Sequence, residues 1–400
     1  MVKKKIIIVS HAMELGGAER SLLGLLETFD YSRYEVDLFL IHHEGELLSY
    51  IPNEVNLLPE ISAYTVLARP MKQVVREGHF LLTLSRLYAK IKARKFEKLN
   101  NSEDKDSAVE IEYSHKYTNW LMPRINPDVT YDIAISFLTP HYFVRDKINA
   151  YKKIAWIHTD YSAVFIDQKS EELMWKSFDS VISISDNVTE QFLKVFPFLV
   201  DKIVLIENIL PQEFVRKQSM AFNPDNEMRG SDLKILSIGR FSYQKNFEAI
   251  PKITKEILKK GVSINWYLIG FGAHEQMIVE SINENGMQDH VFILGKKENP
   301  YPYIMACDVY IQPSRYEGKS VTVREAQMLG KPVIITDFPT SGSQLEDKVD
   351  GIIVPMEIEE CAKEIASVLM NLNLLDTLKY NCLARDYSNS REIRKLYDLI

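Results

Sequence analysis

Short unbroken apolar runs alternate with amphipathic stretches along most of this 400-residue chain. Residues 6–10 read as a buried strand that empties into a glycine pair, Gly16 and Gly17. Leu22, Leu23, Leu25, Leu26 and Phe29 then mark the apolar face of a helix. Further strands are predicted at 35–41, 131–137, 153–157, 180–184 and 202–206, with helices between them. A second series opens at 233–240 and continues through 264–272, 291–295, 308–312 and 332–336. After Val354 the pattern is helical to the end, closing on an amphipathic helix at 390–400. Strand, turn and helix in repetition are the signature of doubly wound α/β units.

The alternation fails between Leu67 and Arg124. Residues 80–99 predict one helix, with Phe80, Leu84, Leu87, Ile91 and Lys95 along one side. Arg86, Lys90, Lys92, Arg94, Lys95 and Lys98 oppose a single acid, Glu97. Such a helix either packs its stripe on the domain or lies on an anionic membrane surface. The polar run 100–107 that follows is a loop.

Length predicts two domains. We expect 1–212 as an N-terminal and 213–385 as a C-terminal Rossmann-like domain, with 386–400 a helix crossing back toward the first. The polar segment 218–232, with Pro224 and Gly230, reads as the linker or its continuation. Apolar residues make up 46% of the chain, enough for sizeable cores, and the net charge of −7 argues against a nucleic-acid binder. Cys307, Cys361 and Cys382 are too widely spaced for a metal motif or a disulfide framework, which suits a reducing cytosol. The apolar run after the N-terminal lysines is too short for a signal peptide, so a cytoplasmic protein is expected.

Three places carry candidate chemistry. Between the strands at 308–312 and 332–336, Ser320 or Thr322 can N-cap a helix that runs to Leu329 and stops at Gly330. Glu317 precedes that helix and Glu325 lies within it. Free amides at the helix start suit a phosphate, and two carboxylates beside it suit hydroxyls on either side of a diphosphate. Thr322 and Glu325 equally form a capping box that needs no ligand. Arg240 and Lys245, after the strand at 233–240, could grip a diphosphate by fork and point charge, or be an ordinary surface pair. His158, Thr159 and Asp160 form a polar cluster at a strand's carboxyl end, where open α/β sheets place ligands, or His158 merely caps the next helix. The Gly16–Gly17 turn lacks the dinucleotide G-x-G-x-x-G pattern, which argues against a nicotinamide-type site.

Residues 302–337 resemble the retaining glycosyltransferases of family four, whose hallmark is Glu, seven residues, then Glu. Ser314, Glu317, Gly318, Glu325, Ala326, Gly330, Pro332 and Val333 stand in the family's places. So do Gly239, Arg240 and Lys245 (G-R-x-x-x-x-K), and Gly270 with Gly272. The resemblance covers nearly the whole chain, most strongly 233–355 and most weakly 67–124. It implies a GT-B fold, two Rossmann-like doubly wound domains facing an interdomain cleft. It further implies transfer of a sugar from a nucleoside-diphosphate sugar to a hydroxyl, with retention. In that reading Arg240 and Lys245 neutralise the leaving diphosphate and Glu317 contacts the donor sugar. Glu325 contacts the ribose, and the Lys319, Ser320 and Val321 amides add to the grip. Gly16, Gly17, Gly239, Gly270 and Gly318 shape the donor side, while Gly17, His158 and Asp160 reach the acceptor.

His158, Glu317, Arg240 and Lys245 are thus the catalytic candidates, with no cofactor and no metal. Ser185 and Asn208 match the family's polar edge residues. Gln344 departs from the pattern, falling where many members have a glutamate. The expected partners are a nucleotide sugar, a glycan or glycolipid acceptor and an anionic membrane surface through 80–99. A non-catalytic partner subunit and a nucleotide-sugar epimerase share the plan. The first is opposed by the presence of Arg240, Lys245 and Glu317, the second by the loop at 317–325. A phosphorylase would need a lysine for pyridoxal phosphate, which has no place in the pattern.

Overall fold

The structure, a computed structural model, describes residues 3–14, 16–67, 69–100, 106–159, 161, 164–210, 212–317 and 320–400. It divides into two compact units, Met1–Ile209 with Ser390–Ile400, and Leu210–Asn389.

The first unit holds a seven-stranded parallel sheet. Its spatial order is Asn56–Leu57, Tyr34–Leu40, Lys4–Ser10, Tyr131–Ser136, Ala150–Ile157, Ser180–Ser183, Ile203–Leu205. The second unit holds six parallel strands, ordered Val291–Gly295, Ile264–Ile269, Leu233–Ile238, Val309–Gln312, Val333–Thr336, Ile352–Val354. Counted within each sheet, both run 3-2-1-4-5-6, the doubly wound order, with one strand added in the first. The central strands are apolar on both faces because helices cover both. Ile6, Ile7 and Ile8 are fully buried, as are Ile235 and Leu236.

In the second unit one face of the sheet packs on Ile250, Ile253 and Ile257 with Cys361 and Ile365. The other packs on Tyr301 and Ile304 with Val323 and Ala326. The predicted strands are all present, most of them trimmed or shifted by a few residues at their ends. The segment 218–232 is not a linker. It lies inside the second unit, where Met228 is fully buried and the Tyr267 hydroxyl donates to the Arg229 carbonyl at 2.5 Å. Polar composition hid these two anchors.

Ser390–Ile400 belongs to the first unit. Tyr397 stacks on Tyr34 at 4.7 Å, and its hydroxyl accepts from the Asp30 amide at 2.7 Å. Helix Phe80–Leu99 buries Leu82, Ala89 and Ala93 and packs on Val109 and Tyr113. Among the described residues, no helix is long and apolar enough to cross a membrane.

One close approach sets the second unit's loops. The chain after Leu233–Ile238 lies directly on the segment 270–272, with Gly239 N donating to the Ile269 carbonyl at 3.0 Å and Phe241 N to the Phe271 carbonyl at 2.8 Å. A Cβ on Gly270 would stand 1.9 Å from the Gly239 oxygen, and one on Gly272 2.3 Å from the Phe241 oxygen. Their φ values of +153° and +154° also favour glycine. Gly270→Ala should therefore lower the melting temperature by roughly 4–8 °C, corresponding to about 2 kcal/mol. Differential scanning calorimetry measures this, and an unchanged transition would mean that the loop can retreat freely.

Candidate functional site

In a doubly wound sheet, ligands bind where neighbouring strands lead their chains to opposite faces, at the carboxyl ends of the first and fourth strands. In the second unit those ends release Gly239 and Arg240 after Leu233–Ile238, and Ser314 to Glu317 after Val309–Gln312. The two loops meet. Lys245 Nζ stands 2.5 Å from Glu317 Oε1, with side chains only 16% and 6% exposed. Ser314 Oγ donates to the same oxygen at 2.6 Å, and Gln244 Nε2 to the other at 3.3 Å. Gly239 leaves room for the lysine stem, since a Cβ there would press on Lys245 Cδ and Cε at 3.2 Å.

A buried relay stands behind the carboxylate. Gln312 Nε2 donates to Ser314 Oγ at 2.9 Å, and Gln312 Oε1 accepts from the Tyr310 hydroxyl at 2.7 Å. That hydroxyl is also 2.8 Å from Thr322 Oγ1. Burial pushes the Tyr310 phenol up, so it remains a neutral hydrogen-bonding group. Arg315 braces the loops from outside. Its guanidinium lies 4.1 Å over the Tyr243 ring and pairs with Glu248 at 2.7 Å, while its amide donates to the Gln244 carbonyl. Tyr301, Gln244 and Arg315 have no local sequence signal, because their partners Glu325, Glu317 and Glu248 lie 24, 73 and 67 residues away. Tyr310 and Gln312 bond each other two residues apart, a contact that the apolar pattern of their strand does not announce.

Arg240 differs from Lys245. It is exposed, and no acid among the described residues pairs with it. Removing one member of the buried Lys245–Glu317 pair would leave the other charge uncompensated, at a cost of roughly 3–5 kcal/mol. Arg240 can be changed without that penalty.

Helix Val321–Met328 starts at Ser320, whose side chain makes no capping bond. Its amide donates to Gln344 Oε1 at 2.8 Å, so the residue that departs from the family pattern closes the helix start. The capping-box reading fails. Thr322 turns to Tyr310, and Glu325, fully buried, accepts from the Tyr301 hydroxyl at 2.7 Å. Gly318 and Lys319 lie outside the described residues, as does Asp160.

In the first unit Gly16 precedes helix Gly17–Thr28 at the carboxyl edge of the sheet. A Cβ on Gly16 would meet only the end of the flexible Glu19 side chain, which can turn away, and its φ of −122° is one any residue adopts. His158 follows Ala150–Ile157 at the same edge. Its ring lies against Phe137 at 4.6 Å and parallel to Trp156 at 6.1 Å, and Nε2 is buried without a hydrogen-bond partner. It does not cap the next helix, Gln168–Lys176, which Asp167 caps. Ser185 caps Asp186–Val195, and Asn208 accepts from Ser21 at 2.9 Å, so both have structural employment.

His158 faces a cavity of about 170 Å³ shared with Glu112, His115, His141, Tyr161 and Glu171. Desolvation pushes His115, His141 and His158 down to about 3, leaving them neutral near pH 7. Burial, with the repulsion of neighbouring acids, raises both Glu112 and Glu171. Lys116 partly opposes this at both, and the Tyr142 hydroxyl and Arg145 at Glu171. A neutral imidazole at a strand end can accept a hydrogen bond from a hydroxyl.

Residues 221–384 match the family model described as "Glycosyl transferases group 1". Curated relatives include an amylovoran biosynthesis glycosyltransferase, AmsD, of Erwinia amylovora, 25% identical over 50% of this chain and 60% of its own. Another is the Campylobacter jejuni N-acetylgalactosamine-N,N'-diacetylbacillosaminyl-diphospho-undecaprenol 4-alpha-N-acetylgalactosaminyltransferase, 22% identical over 57% of this chain and 59% of its own. The matched part spans about 40 to 60% of the length of such relatives. Among solved structures, Anabaena HepE in complex with UDP and glucose is 16% identical and covers 99% of this chain and 100% of its own, with a TM-score of 0.65. A S. aureus TarM variant in complex with Fondaparinux, alpha-GlcNAc-glycerol and UDP is also 16% identical, covering 99% of each chain with a TM-score of 0.67. These likenesses show the fold, GT-B.

The buried groups of the first unit set a pH dependence. A carboxyl raised by folding binds more protons folded than unfolded, so its stability contribution, full below about pH 4.5, is lost as pH rises. A histidine lowered by folding acts oppositely, costing stability as pH falls below about 6.5. Above that value the histidines are neutral in both states and the carboxyl loss continues. The melting temperature should thus fall between about pH 7 and 9, and Glu112→Gln should flatten that fall. A mutant curve parallel to wild type on the alkaline side would remove Glu112 from the account.

Proposed function

We propose that this chain, whose second unit is a group 1 glycosyltransferase domain within a GT-B fold, moves a sugar from a UDP- or GDP-sugar to a hydroxyl acceptor with retention and without a metal. The convergence of Lys245 and Glu317 on the switch point of the second sheet, with Arg240 free beside them, carries the reading. A diphosphate there meets one exposed cation and one fixed cation already aligned by Glu317, Gly239 and the packed loop.

In the reaction the bond from the anomeric carbon to the diphosphate oxygen breaks, and its electron pair leaves on the diphosphate. Arg240 and Lys245 offset that charge, aided by amides around Ser320 and Val321. The acceptor oxygen bonds the anomeric carbon and releases its proton, for which the departing diphosphate is an available base. Glu317, held by Ser314 and Gln244, orients the donor sugar through its hydroxyls. Glu325 serves the ribose side, where the Tyr301 bond must open or be shared. His158, with Gly17 and Asp160, serves the acceptor. The names of the Erwinia and Campylobacter relatives favour a growing or lipid-linked cell-surface polysaccharide as acceptor, and hence work in the cytoplasm at the inner face of the plasma membrane.

A thermal-shift screen against UDP, GDP, ADP and CMP tests the donor site. A nucleotide at a hundred times its dissociation constant stabilises the native state by about 2.7 kcal/mol. One nucleoside diphosphate should raise the melting temperature, and Arg240→Ala should abolish the rise while leaving the unliganded transition within about 1 °C of wild type. No shift with any nucleotide would favour the non-catalytic partner subunit.

A further inference from the structure

Helix Phe80–Leu99 is amphipathic in the reverse of the usual sense. Its small residues Ala89 and Ala93 face inward with Leu82, and Phe96 is half-buried against the same cluster. Ser85 Oγ donates to the Tyr117 carbonyl at 2.6 Å, the Arg86 guanidinium donates to the Arg69 carbonyl at 2.8 Å, and Lys90 pairs with Glu110 at 3.0 Å. These contacts hold the inner face on the first unit. The larger apolar stripe points away. Phe80, Leu84, Leu87 and Ile91 are 60%, 62%, 45% and 60% exposed, and Leu81 and Tyr88 widen the stripe. At 100° per residue these four span about 60° of the helix circumference. Lys92, Arg94, Lys95 and Lys98 continue the same outward side and are exposed, and no carboxylate among the described residues pairs with them.

We propose that the outward face of Phe80–Leu99 is a docking surface for an anionic lipid bilayer, into which Phe80, Leu84, Leu87 and Ile91 insert while Lys92, Arg94, Lys95 and Lys98 meet the headgroups. Charge decides the occupant. The chain as a whole carries −7, yet this face is purely cationic beside its apolar stripe. A second copy docking antiparallel would lay each cationic half over the other's apolar half, and docking parallel would set like charges together; neither supplies an acid. An anionic leaflet offers hydrocarbon for the stripe and phosphates for the lysines at the depths where a helix lying in the interface needs them. The charged residues keep the helix from crossing a membrane, so it lies on the surface. The surface rests on the membrane part of the proposed function and not on its transfer chemistry.

Sedimentation with vesicles tests it on the full chain, using phosphatidylcholine alone or with about 30% phosphatidylglycerol. Wild type should partition at least about tenfold more strongly to the anionic vesicles, and less so as salt is raised. Leu84→Glu with Ile91→Glu, both at exposed positions, should lower that partitioning about tenfold, and Lys92→Glu with Lys95→Glu should remove the preference for anionic lipid. Circular dichroism of each variant verifies the fold, and the nucleotide-induced thermal shift should be unchanged in all of them. Equal partitioning of wild type and variants overturns the proposal. So does a concentration-dependent dimer in light scattering that Leu84→Glu with Ile91→Glu dissolves, without any vesicle binding by wild type. Loss of the nucleotide shift in every protein, with lipid binding intact, would instead count against the transferase reading alone.

Discussion

Two backbone segments that touch without side chains between them govern the second unit. Where the chain leaves Leu233–Ile238 it lies on 270–272 so closely that a methyl group on Gly270 would fall 1.9 Å from a carbonyl oxygen. This contact fixes the start of the loop bearing Arg240 and Lys245, and Arg315 fixes its far side against the loop bearing Glu317. A cation and a carboxylate more than 70 residues apart can then form a pair whose side chains are almost withdrawn from water. Withdrawal makes the pair rigid and strong in local field, and it also makes each member indispensable to the other.

The relay through Ser314, Gln312, Tyr310 and Thr322 extends that order from the pair to helix Val321–Met328. Every group in it is neutral, so it orients Glu317 without competing for its charge. Gln344 plays a related part at the helix start, where a neutral amide oxygen takes the Ser320 amide. A carboxylate at that position would add a negative charge beside the place proposed for a diphosphate.

The first unit combines two unusual burials. Carboxyls and histidines share one small cavity behind the edge of the sheet, each forced toward its neutral form by the loss of water. On the helix that breaks the strand-helix alternation, alanines are buried and large apolar residues are exposed. Small inward residues let this helix sit close to Val109 and Tyr113, which leaves the bulky stripe nowhere to go but outward.

Much of the architecture was legible from the chain. Strands buried on both faces must be continuously apolar, so Ile6 to Val9 and Val333 to Ile335 announce themselves, and glycines at 270 and 272 mark turns that only glycine tolerates. Arg240, Lys245, Glu317 and His158 were readable as candidates because each follows a predicted strand. What the pattern does not contain is which face of 80–99 turns inward, since a stripe of leucines satisfies either a core or a lipid surface. Nor does it show that Glu325 meets Tyr301 instead of closing a capping box, that 218–232 is anchored by Met228, or that Lys245 is paired while Arg240 is free. Those outcomes depend on partners distant in sequence, and a periodicity records only what a residue's own helix or strand requires.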